Sequence, residues 1–224
     1  MNFQSWFPLY LQITDSLGIN RNMDYRSSLI LKKFMHNEDI LLEKYRGRNA
    51  FVVGNGPNMK NIGEIISEGY VIVADSAIES YITMYGYPDI IVTDLDGNID
   101  SIVDAYNKGS IVLVHAHGDN IEAIKKYAQI FQHGIATTQN IPMKYLYNYG
   151  GFSDGDRSAF LADELGAPVI TLLGFDFKNV TIKPYYDDTA ISRKRIKLKW
   201  AEYLLTCLAA SRGRSMFHGN VIEI

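Results

Sequence analysis

Short apolar runs recur along the chain from residue 50 onwards, and they predict β-strands. They read AFVVG (50–54), YVIVA (70–74), DIIVT (89–93), IVLVH (111–115), GIATT (134–138) and PVITLLG (168–174). The stretches between them are long enough for helices, predicted at 59–67, 76–85, 99–107, 120–131 and 156–165. Continuous apolar strands at roughly twenty-residue spacing, each followed by a helix, indicate a parallel sheet covered on both faces. The predicted fold is therefore α/β, a Rossmann-like sandwich with a mostly parallel sheet.

The first 46 residues show helical rather than strand spacing. One apolar stripe contains Trp6, Leu9, Tyr10 and Ile13, and two further helices are predicted at 29–35 and 40–45. Asn37 is expected to cap the last of these helices, and Gly47 to end it. We expect an N-terminal helical segment at 1–46, followed by a Rossmann-like catalytic domain at 47–224.

Composition narrows the class of protein. The 224 residues are 47% hydrophobic and 21% charged, which is typical of a globular chain. A net charge of -3 disfavours a sequence-independent grip on nucleic acid or on an anionic membrane. The single cysteine, Cys207, excludes an intramolecular disulfide, and the first twenty residues contain no Lys or Arg. We expect a cytoplasmic protein without nucleic-acid or membrane partners, and a homo-oligomer is left open.

The loop after the first strand is a candidate nucleotide contact. Ligands of parallel α/β sheets bind beyond the carboxyl ends of the strands, where this chain has Gly54, Asn55, Gly56 and Pro57. The glycines permit a tight turn and close approach of backbone N–H groups to a phosphate or a ribose. Met59 replaces the third glycine of a dinucleotide fingerprint, which disfavours NAD. A plain turn explains the loop equally well.

Acidic residues follow the second, third and last of the predicted strands. Asp94 and Asp96 stand two residues apart after four apolar positions, a spacing that points both carboxylates to one side and suits Mg²⁺. A solvated Asp-Gly turn is the alternative. Asp75 follows the second strand, either as a helix cap or as a contact to a sugar or to a metal-bound water. Asp176 lies at the same predicted edge of the sheet.

Two further loops carry candidate chemistry. In HAHGDN, His115, His117 and Asp119 resemble part of a zinc-hydrolase string, although Asn120 stands where that string has its last histidine. In GGFSDGDR, Asp156 lies three residues after Ser153, as in a capping box. The additional Asp154 and Arg157 suggest a ligand loop as well, with Arg157 as a phosphate clamp.

These residues resemble, in order and spacing, the archaeal type of 6-hydroxymethyl-7,8-dihydropterin diphosphokinase, a family related in its core to thiamine pyrophosphokinase. The resemblance covers the preface (Trp6, Tyr10, Ile13, Gly18, Asp24), VVGNGP, PDIIVTDLDG, HAHGDN, GGFSDGDR, LLGFDF and the helix around Lys197 and Leu198. PDIIVTDLDG is also similar to the magnesium-binding Gly-Asp-x-Asp-Ser segment of thiamine pyrophosphokinases. Thr93 and Gly97 replace its Gly and Ser, which puts a thiamine substrate in doubt.

The resemblance implies transfer of diphosphate from ATP, as co-substrate, to a reduced pterin, with release of AMP. It implies Asp119 as a third metal contact beside Asp94 and Asp96, and Mg²⁺ as the cofactor. His117 would orient phosphate or accept the hydroxyl proton, and Arg157 would steady phosphate. Asp75, Asp154, Asp156 and Asp176 join the glycine loop as candidate nucleotide or substrate contacts. Folate and tetrahydromethanopterin biosynthesis are both compatible with this activity.

Three alternative functions remain open. A nucleotide-sugar-dependent glycosyltransferase of sialyltransferase-like fold would explain the glycine loop without needing the acids. A thiamine pyrophosphokinase-like enzyme would use them with another substrate, and a non-catalytic nucleotide-binding module is disfavoured because clustered carboxylates repel phosphate unless a cation intervenes. We also expect the polar stretch 176–192 to act as a lid, with a long surface connection or an oligomer contact as its alternative.

Overall fold

The computed structural model describes residues 1–56, 63, 65–66, 68–180, 187–218 and 222–224. The helices are α1 (Phe3–Leu17), α2 (Arg21–Leu31), α3 (Ile78–Tyr85), α4 (Ile99–Asn107), α5 (Ile121–Tyr127), α6 (Asp154–Glu164) and α7 (Asp188–Ser211). The strands are β1 (Ala50–Val53), β2 (Tyr70–Ala74), β3 (Ile90–Thr93), β4 (Ile111–Ala116), β5 (Ile135–Thr138), β6 (Leu146–Tyr147), β7 (Ile170–Leu173), β8 (Phe217–His218) and β9 (Ile222–Glu223). Short 3-10 helices lie at Asp39–Tyr45, Asp75–Ala77, Gly118–Asn120 and Ala128–Phe131.

The strands form one mixed sheet in the order β6-β5-β4-β3-β2-β1-β7-β9-β8. The pairs from β6 to β7 are parallel, and β9 pairs antiparallel with both β7 and β8. The predicted α/β fold with a mostly parallel sheet is confirmed. The chain moves outwards from β1 to β6, and then returns to place β7 on the other side of β1. The order of strands therefore reverses at β1, which is where sheets of this kind open a crevice for ligands.

Two apolar layers cover the sheet, which explains why its strands read as continuous apolar runs. Val52 and Ile72 face the layer that contains residues of α1, α6 and α7. Val53 and Val73 face the opposite layer, which contains residues of α2, α3, α4 and α5. The N-terminal helices thus pack on both faces of the sheet, α1 on one and α2 on the other.

The N-terminal helices differ in detail from the prediction. α2 begins at Arg21 rather than near residue 29, because the Asn20 side chain accepts hydrogen bonds from the amides of Asn22 and Met23 and caps it there. The segment predicted as a helix at 40–45 is 3-10 helical, and the residue at its cap position is Glu38.

Asn37 is not the cap that the sequence predicted. Its Nδ2 instead donates to the carbonyl oxygens of Gln132 at 2.6 Å and Gly134 at 2.8 Å, tying this segment to the loop before β5. Gly47 has a φ of 71°, in agreement with its predicted role as the stop. The helix predicted at 59–67 lies largely outside the described residues. Within the described part of the chain, we find no helix long and apolar enough to cross a membrane.

Candidate active site

A cleft lies beyond the carboxyl ends of the strands, as the topology requires. Its walls come from the loops after β1, β2, β3, β4 and β7, from the first turn of α6 and from the first turns of α7. The predicted site residues that line it are Gly54, Asn55, Gly56, Asp94, Asp96, His117, Asp119, Asp154, Arg157 and Asp176. Pro57 lies outside the described residues.

Three carboxylates converge at the centre of this edge. Asp75 follows β2, and Asp94 and Asp96 follow β3; because β2 and β3 are neighbours in the sheet, their exits lie side by side. One carboxylate oxygen from each lies within 4.8 Å of the others. We call Asp75, Asp94 and Asp96 the acid triad.

The acid triad has the properties of a cation site. Asp75 Oδ1 and Asp94 Oδ1 are buried and have no hydrogen-bond partner among the described residues. Burial raises the pKa of Asp75 to about 7 and that of Asp96 to about 6, and the charge of Asp94 adds to both shifts. Asp75 is buried and Asp94 half-buried, whereas Asp96 is exposed and only partly desolvated. Carboxylates that repel one another are relieved by a cation, and an all-oxygen donor set suits a hard divalent ion.

Gly97 makes room for the triad. A Cβ at this position would lie 1.6 Å from Asp75 Oδ1, so any side chain there would displace the carboxylate. On the other side of Asp75, the Thr93 hydroxyl donates to its Oδ2 and accepts from the Leu95 amide at 2.8 Å. Leu95 lies between the two acids that follow β3, and its φ of 67° makes a left-handed turn there. The backbone is therefore shaped around the carboxylates.

His117 contacts the triad directly. Its Nε2 lies 3.0 Å from Asp94 Oδ2, and its Nδ1 accepts from the amide of Asp119 at 3.3 Å. Because Nδ1 accepts a hydrogen bond, Nε2 carries the ring proton and donates a hydrogen bond to Asp94. Burial opposes ionisation of Asp94, but the hydrogen bond that His117 donates outweighs it and holds the pKa of Asp94 below its usual value. Asp94 is thus the most strongly ionised member of the triad.

The structure groups the predicted ligands differently from the sequence. Asp75, predicted as a cap or a sugar contact, joins Asp94 and Asp96, whereas Asp119 lies outside the triad. The Asp119 side chain is 80% exposed, and its Oδ2 is 3.8 Å from Arg193. His115 is buried beside Thr137, and burial lowers its pKa well below the usual value, so its ring stays neutral. Among the described residues, no metal-ligating cluster includes a histidine, so the zinc-hydrolase string is not assembled.

The first turn of α6 combines a cap with a buried ion pair. Asp156 accepts from the amides of Phe152 at 2.6 Å and Ser153 at 2.8 Å, and completes the predicted capping box. It is buried beneath the loop and is not part of the cleft wall. Asp154 does line the cleft, where its Oδ1 accepts from Arg157 at 2.9 Å. Burial, and then the charge of Asp94, raise the pKa of Asp154 although Arg157 opposes the shift.

Arg157 is held by the protein itself. Besides Asp154, its guanidinium donates to the Phe152 carbonyl and, at 3.2 Å, to Gln139 Oε1. The residue is buried, and its charge is shared with a neighbouring carboxylate. It has less charge and fewer donors to offer a phosphate than the sequence suggested.

The loops after β1 and β7 pack against each other at the reversal of strand order. The amide of Gly56 donates to the Gly174 carbonyl at 2.6 Å, and a Cβ at Gly56 would lie 2.5 Å from that oxygen, so only glycine fits. Asn55 is exposed to the cleft between them. Asp176 accepts from the amides of Lys178 and Asn179, each at 2.9 Å, and so caps its own turn at the rim of the cleft.

Basic and aromatic side chains complete the cleft, and none of them was predicted from the sequence to contact a ligand. Arg193, Lys194 and Lys197 line it from the first turns of α7. Lys197 Nζ lies 5.9 Å from the centre of the Phe152 ring, and its charge lowers the pKa of Asp96 against the larger effect of burial. The sequence signal for these side chains was the concentration of basic residues at the start of α7. Such a concentration is equally typical of a helix face that is exposed to solvent.

Comparison with known proteins identifies the family. The model of the family described as 6-hydroxymethylpterin diphosphokinase, MptE-like, matches residues 29–181, more than half of the chain. A protein of Methanothermobacter thermautotrophicus named 6-hydroxymethyl-7,8-dihydropterin pyrophosphokinase is 38% identical, covering 93% of this chain and 95% of its own length. Proteins of the same name from Methanocaldococcus jannaschii and Pyrococcus furiosus are 35% and 36% identical, each over 93% of this chain and over 95% and 94% of their own lengths. The chain therefore belongs to the MptE-like family of 6-hydroxymethylpterin diphosphokinases.

Proposed function

We propose that this protein transfers diphosphate from ATP to 6-hydroxymethyl-7,8-dihydropterin in the cytoplasm. The hydroxymethyl oxygen forms a bond to the β-phosphorus, the bond between that phosphorus and the α-phosphate oxygen breaks, and AMP leaves with the electron pair. The hydroxyl proton is lost, and the product is the pterin diphosphate. The observation that carries the proposal is the acid triad facing the basic start of α7 across one cleft, in a chain whose relatives bear the name of this activity.

The acid triad would hold the divalent cation that such a transfer needs. Asp75, Asp94 and Asp96 supply oxygen ligands only, two of them with a buried oxygen that has no partner among the described residues, and this favours Mg²⁺. When bound, the ion neutralises charge on the transferred phosphates. Asp119, which is exposed at the rim of the cleft, would contact the cation through water.

The chain's own groups bind and orient the substrates. The backbone around Gly54 and Gly56 would lie along the phosphates, with Lys197 supplying positive charge from the opposite wall. His117 would keep Asp94 ionised and oriented, since its Nε2 proton is already directed at that carboxylate. Arg157 would hold Asp154 and the first turn of α6 in place, because both Nη atoms of its guanidinium already donate to protein acceptors.

The alternatives have less support. A nucleotide-sugar transferase gives no reason for three carboxylates to converge, and the relatives are named for a pterin rather than for thiamine. The pterin and thiamine enzymes are separated by which acceptor supports AMP formation from ATP.

The test is AMP formation. The purified protein would be incubated with ATP, Mg²⁺ and either 6-hydroxymethyl-7,8-dihydropterin or thiamine, with products resolved by chromatography. We expect AMP and pterin diphosphate in equal amounts, at least tenfold less of both with Asp94→Asn, and no loss with Asp104→Asn, an exposed acid on α4. Formation of ADP, or AMP with thiamine alone, would refute the proposal.

A further inference from the structure

Asp24, on α2, is a buried carboxylate with no role in the chemistry described above. It is 0% exposed and forms part of the wall of the cleft. Its Oδ2 accepts from the Tyr10 hydroxyl at 2.8 Å and from Gln139 Nε2 at 2.7 Å, and its Oδ1 accepts from the Gly118 amide at 2.7 Å. Burying a carboxylate among uncharged donors costs free energy that an apolar residue would not cost. The presence of a carboxylate at this position therefore calls for an explanation other than packing.

The bond from Oδ1 leads to the acid triad. Gly118 directly follows His117, whose Nε2 contacts Asp94. The loop lies so close to α2 that a Cβ at Gly118 would be 2.8 Å from Met23 Cβ and 3.2 Å from Asp24 Oδ1. The carboxylate of Asp24 therefore helps to fix the point from which the His117 side chain reaches the triad, together with Asn120, whose Oδ1 accepts from the His117 amide at 3.1 Å.

The bonds to Oδ2 lead to the part of the cleft wall that α6 supplies. Gln139 follows β5, and while its Nε2 donates to Asp24, its Oε1 accepts from Arg157 at 3.2 Å. Arg157 in turn pairs with Asp154 at the first turn of α6. One carboxylate thus holds both the β4 loop, through Gly118, and α6, through Gln139.

We propose that Asp24 is a positioning residue of the diphosphate-transfer site, acting through the Gly118 amide on His117 and Asp94 and through Gln139 on Arg157 and Asp154. The inference rests on the proposed function. Both carboxylate oxygens of Asp24 face donors. Burial of Tyr10 and the charge of Asp24 raise the pKa of Tyr10, so the Tyr10 hydroxyl stays protonated and remains a donor. A carboxamide offers one acceptor and one donor, so Asn at this position must turn an NH₂ group towards one of the two sets of donors.

The test compares Asp24→Asn with Tyr10→Phe. The Tyr10 change removes one hydrogen bond from the same carboxylate but leaves the bonds to Gly118 and Gln139 in place. Because misplacing reacting groups by an ångström costs on the order of a hundredfold in rate, we expect Asp24→Asn to lower kcat at least tenfold. KM for ATP should change less than threefold in that variant, and Tyr10→Phe should keep kcat within threefold of wild type. Equal kcat values for the two variants would overturn the inference.

A second variant covers the case in which Asp24→Asn does not fold. Gly118→Ala keeps Asp24 but forces the loop away from Met23, and it should lower kcat by a similar factor. Unchanged kcat in Gly118→Ala would also count against the inference.

Amide exchange of Gly118 in wild type, Asp24→Asn and Tyr10→Phe supplies a readout that needs no turnover. Exchange should be at least tenfold faster in Asp24→Asn alone, and equal exchange in all three proteins would reject the Gly118 bond. Absence of AMP from wild type would reject the proposed function instead, which distinguishes the two failures.

Discussion

At the scale of single residues, the three acids of the triad differ in how readily they take up a proton. Asp94 stays ionised beside His117, whereas burial and the charge of Asp94 raise the pKa of Asp75 to about 7 and that of Asp96 to about 6. Near neutral pH, the metal-free site therefore carries fewer than three negative charges. Protons and a divalent cation compete for the same oxygens.

This competition predicts a pH dependence of metal binding. The affinity for Mg²⁺, measured by calorimetry on the protein without nucleotide, should fall as the pH is lowered from 8 to 6, because Asp75 and Asp96 become protonated in that range. Binding at pH 7 should release protons, seen as a dependence of the heat on the ionisation enthalpy of the buffer. An affinity that is constant between pH 6 and 8 would contradict the assignment of these carboxylates.

The same shift predicts that Asp75→Asn stabilises the metal-free protein while removing its activity. A folded-state pKa near 7, above the unfolded value, means that the folded protein binds more protons. The free energy of unfolding then falls as pH rises between about 4 and 7. Removing the charge should raise the free energy of unfolding by roughly 4 kcal/mol at pH 8 and by much less at pH 4.

Urea denaturation of wild type and Asp75→Asn at both pH values measures this difference, with Asp104→Asn as the control on an exposed acid. A variant that is less stable than wild type at pH 8 would show that the Thr93 hydrogen bond outweighs the buried charge.

At the scale of elements, the first turns of α7 supply the positive charge opposite the triad. We expect Lys197→Met to raise KM for ATP and to lower kcat, together a tenfold to hundredfold loss in kcat/KM, because Lys197 is half-buried in the cleft wall. Lys199→Met is the matched control, since Lys199 is exposed on the same helix. Equal kinetics for the two variants would exclude a phosphate role for Lys197.

The strands and their exits were predictable, and the grouping of side chains at those exits was not. Apolar runs buried on both faces identify β1 to β5 and β7 within one or two residues, because few other structures need such runs. Asp75 lies far from Asp94 in sequence, and only the pairing of β2 with β3 brings their carboxylates together. The family resemblance favoured Asp119, which shares a loop with His117 but is directed towards Arg193.

The local structure before β1 was harder to predict for a different reason. The polar sequence of α2 has a weak apolar stripe, so its start depends on the Asn20 cap rather than on periodicity. The 3-10 helix at Asp39–Tyr45 has apolar spacing that fits an α-helix equally well. The sequence does not predict that Asp24, on α2, is buried, because its three partners come from α1, the β4 loop and the end of β5.

At the scale of the whole molecule, closure over the substrates stays a prediction. The segment 176–192 begins after β7, its residues 181–186 lie outside the described part of the chain, and its residues 188–192 already belong to α7. Asp176, which lines the cleft, caps a turn through the Asn179 amide, and the Asp187 side chain caps the start of α7. Diphosphate transfer requires exclusion of water from the β-phosphorus, which a covering segment provides.

Hydrogen exchange followed by mass spectrometry tests this lid. Peptides from 176–192 should gain protection when Mg²⁺, a non-hydrolysable ATP analogue and the pterin are all present, and less with any one of them alone. Peptides from α4, on the outer layer, serve as the reference and should not change. Identical exchange with and without ligands would exclude the lid and leave the acid triad untouched.

β7 lies beside β1 in the sheet but is the last of the parallel strands along the chain, with Ala50 paired to Ile170. Contacts between distant segments close a long loop and form late, whereas β2 and β3 pair locally. During synthesis the acid triad can therefore assemble before the Gly56 and Gly174 loops meet. Until β7 emerges from the ribosome, β1 presents an unpaired apolar edge, so a chain that terminates before residue 170 should aggregate rather than persist as a partly active enzyme.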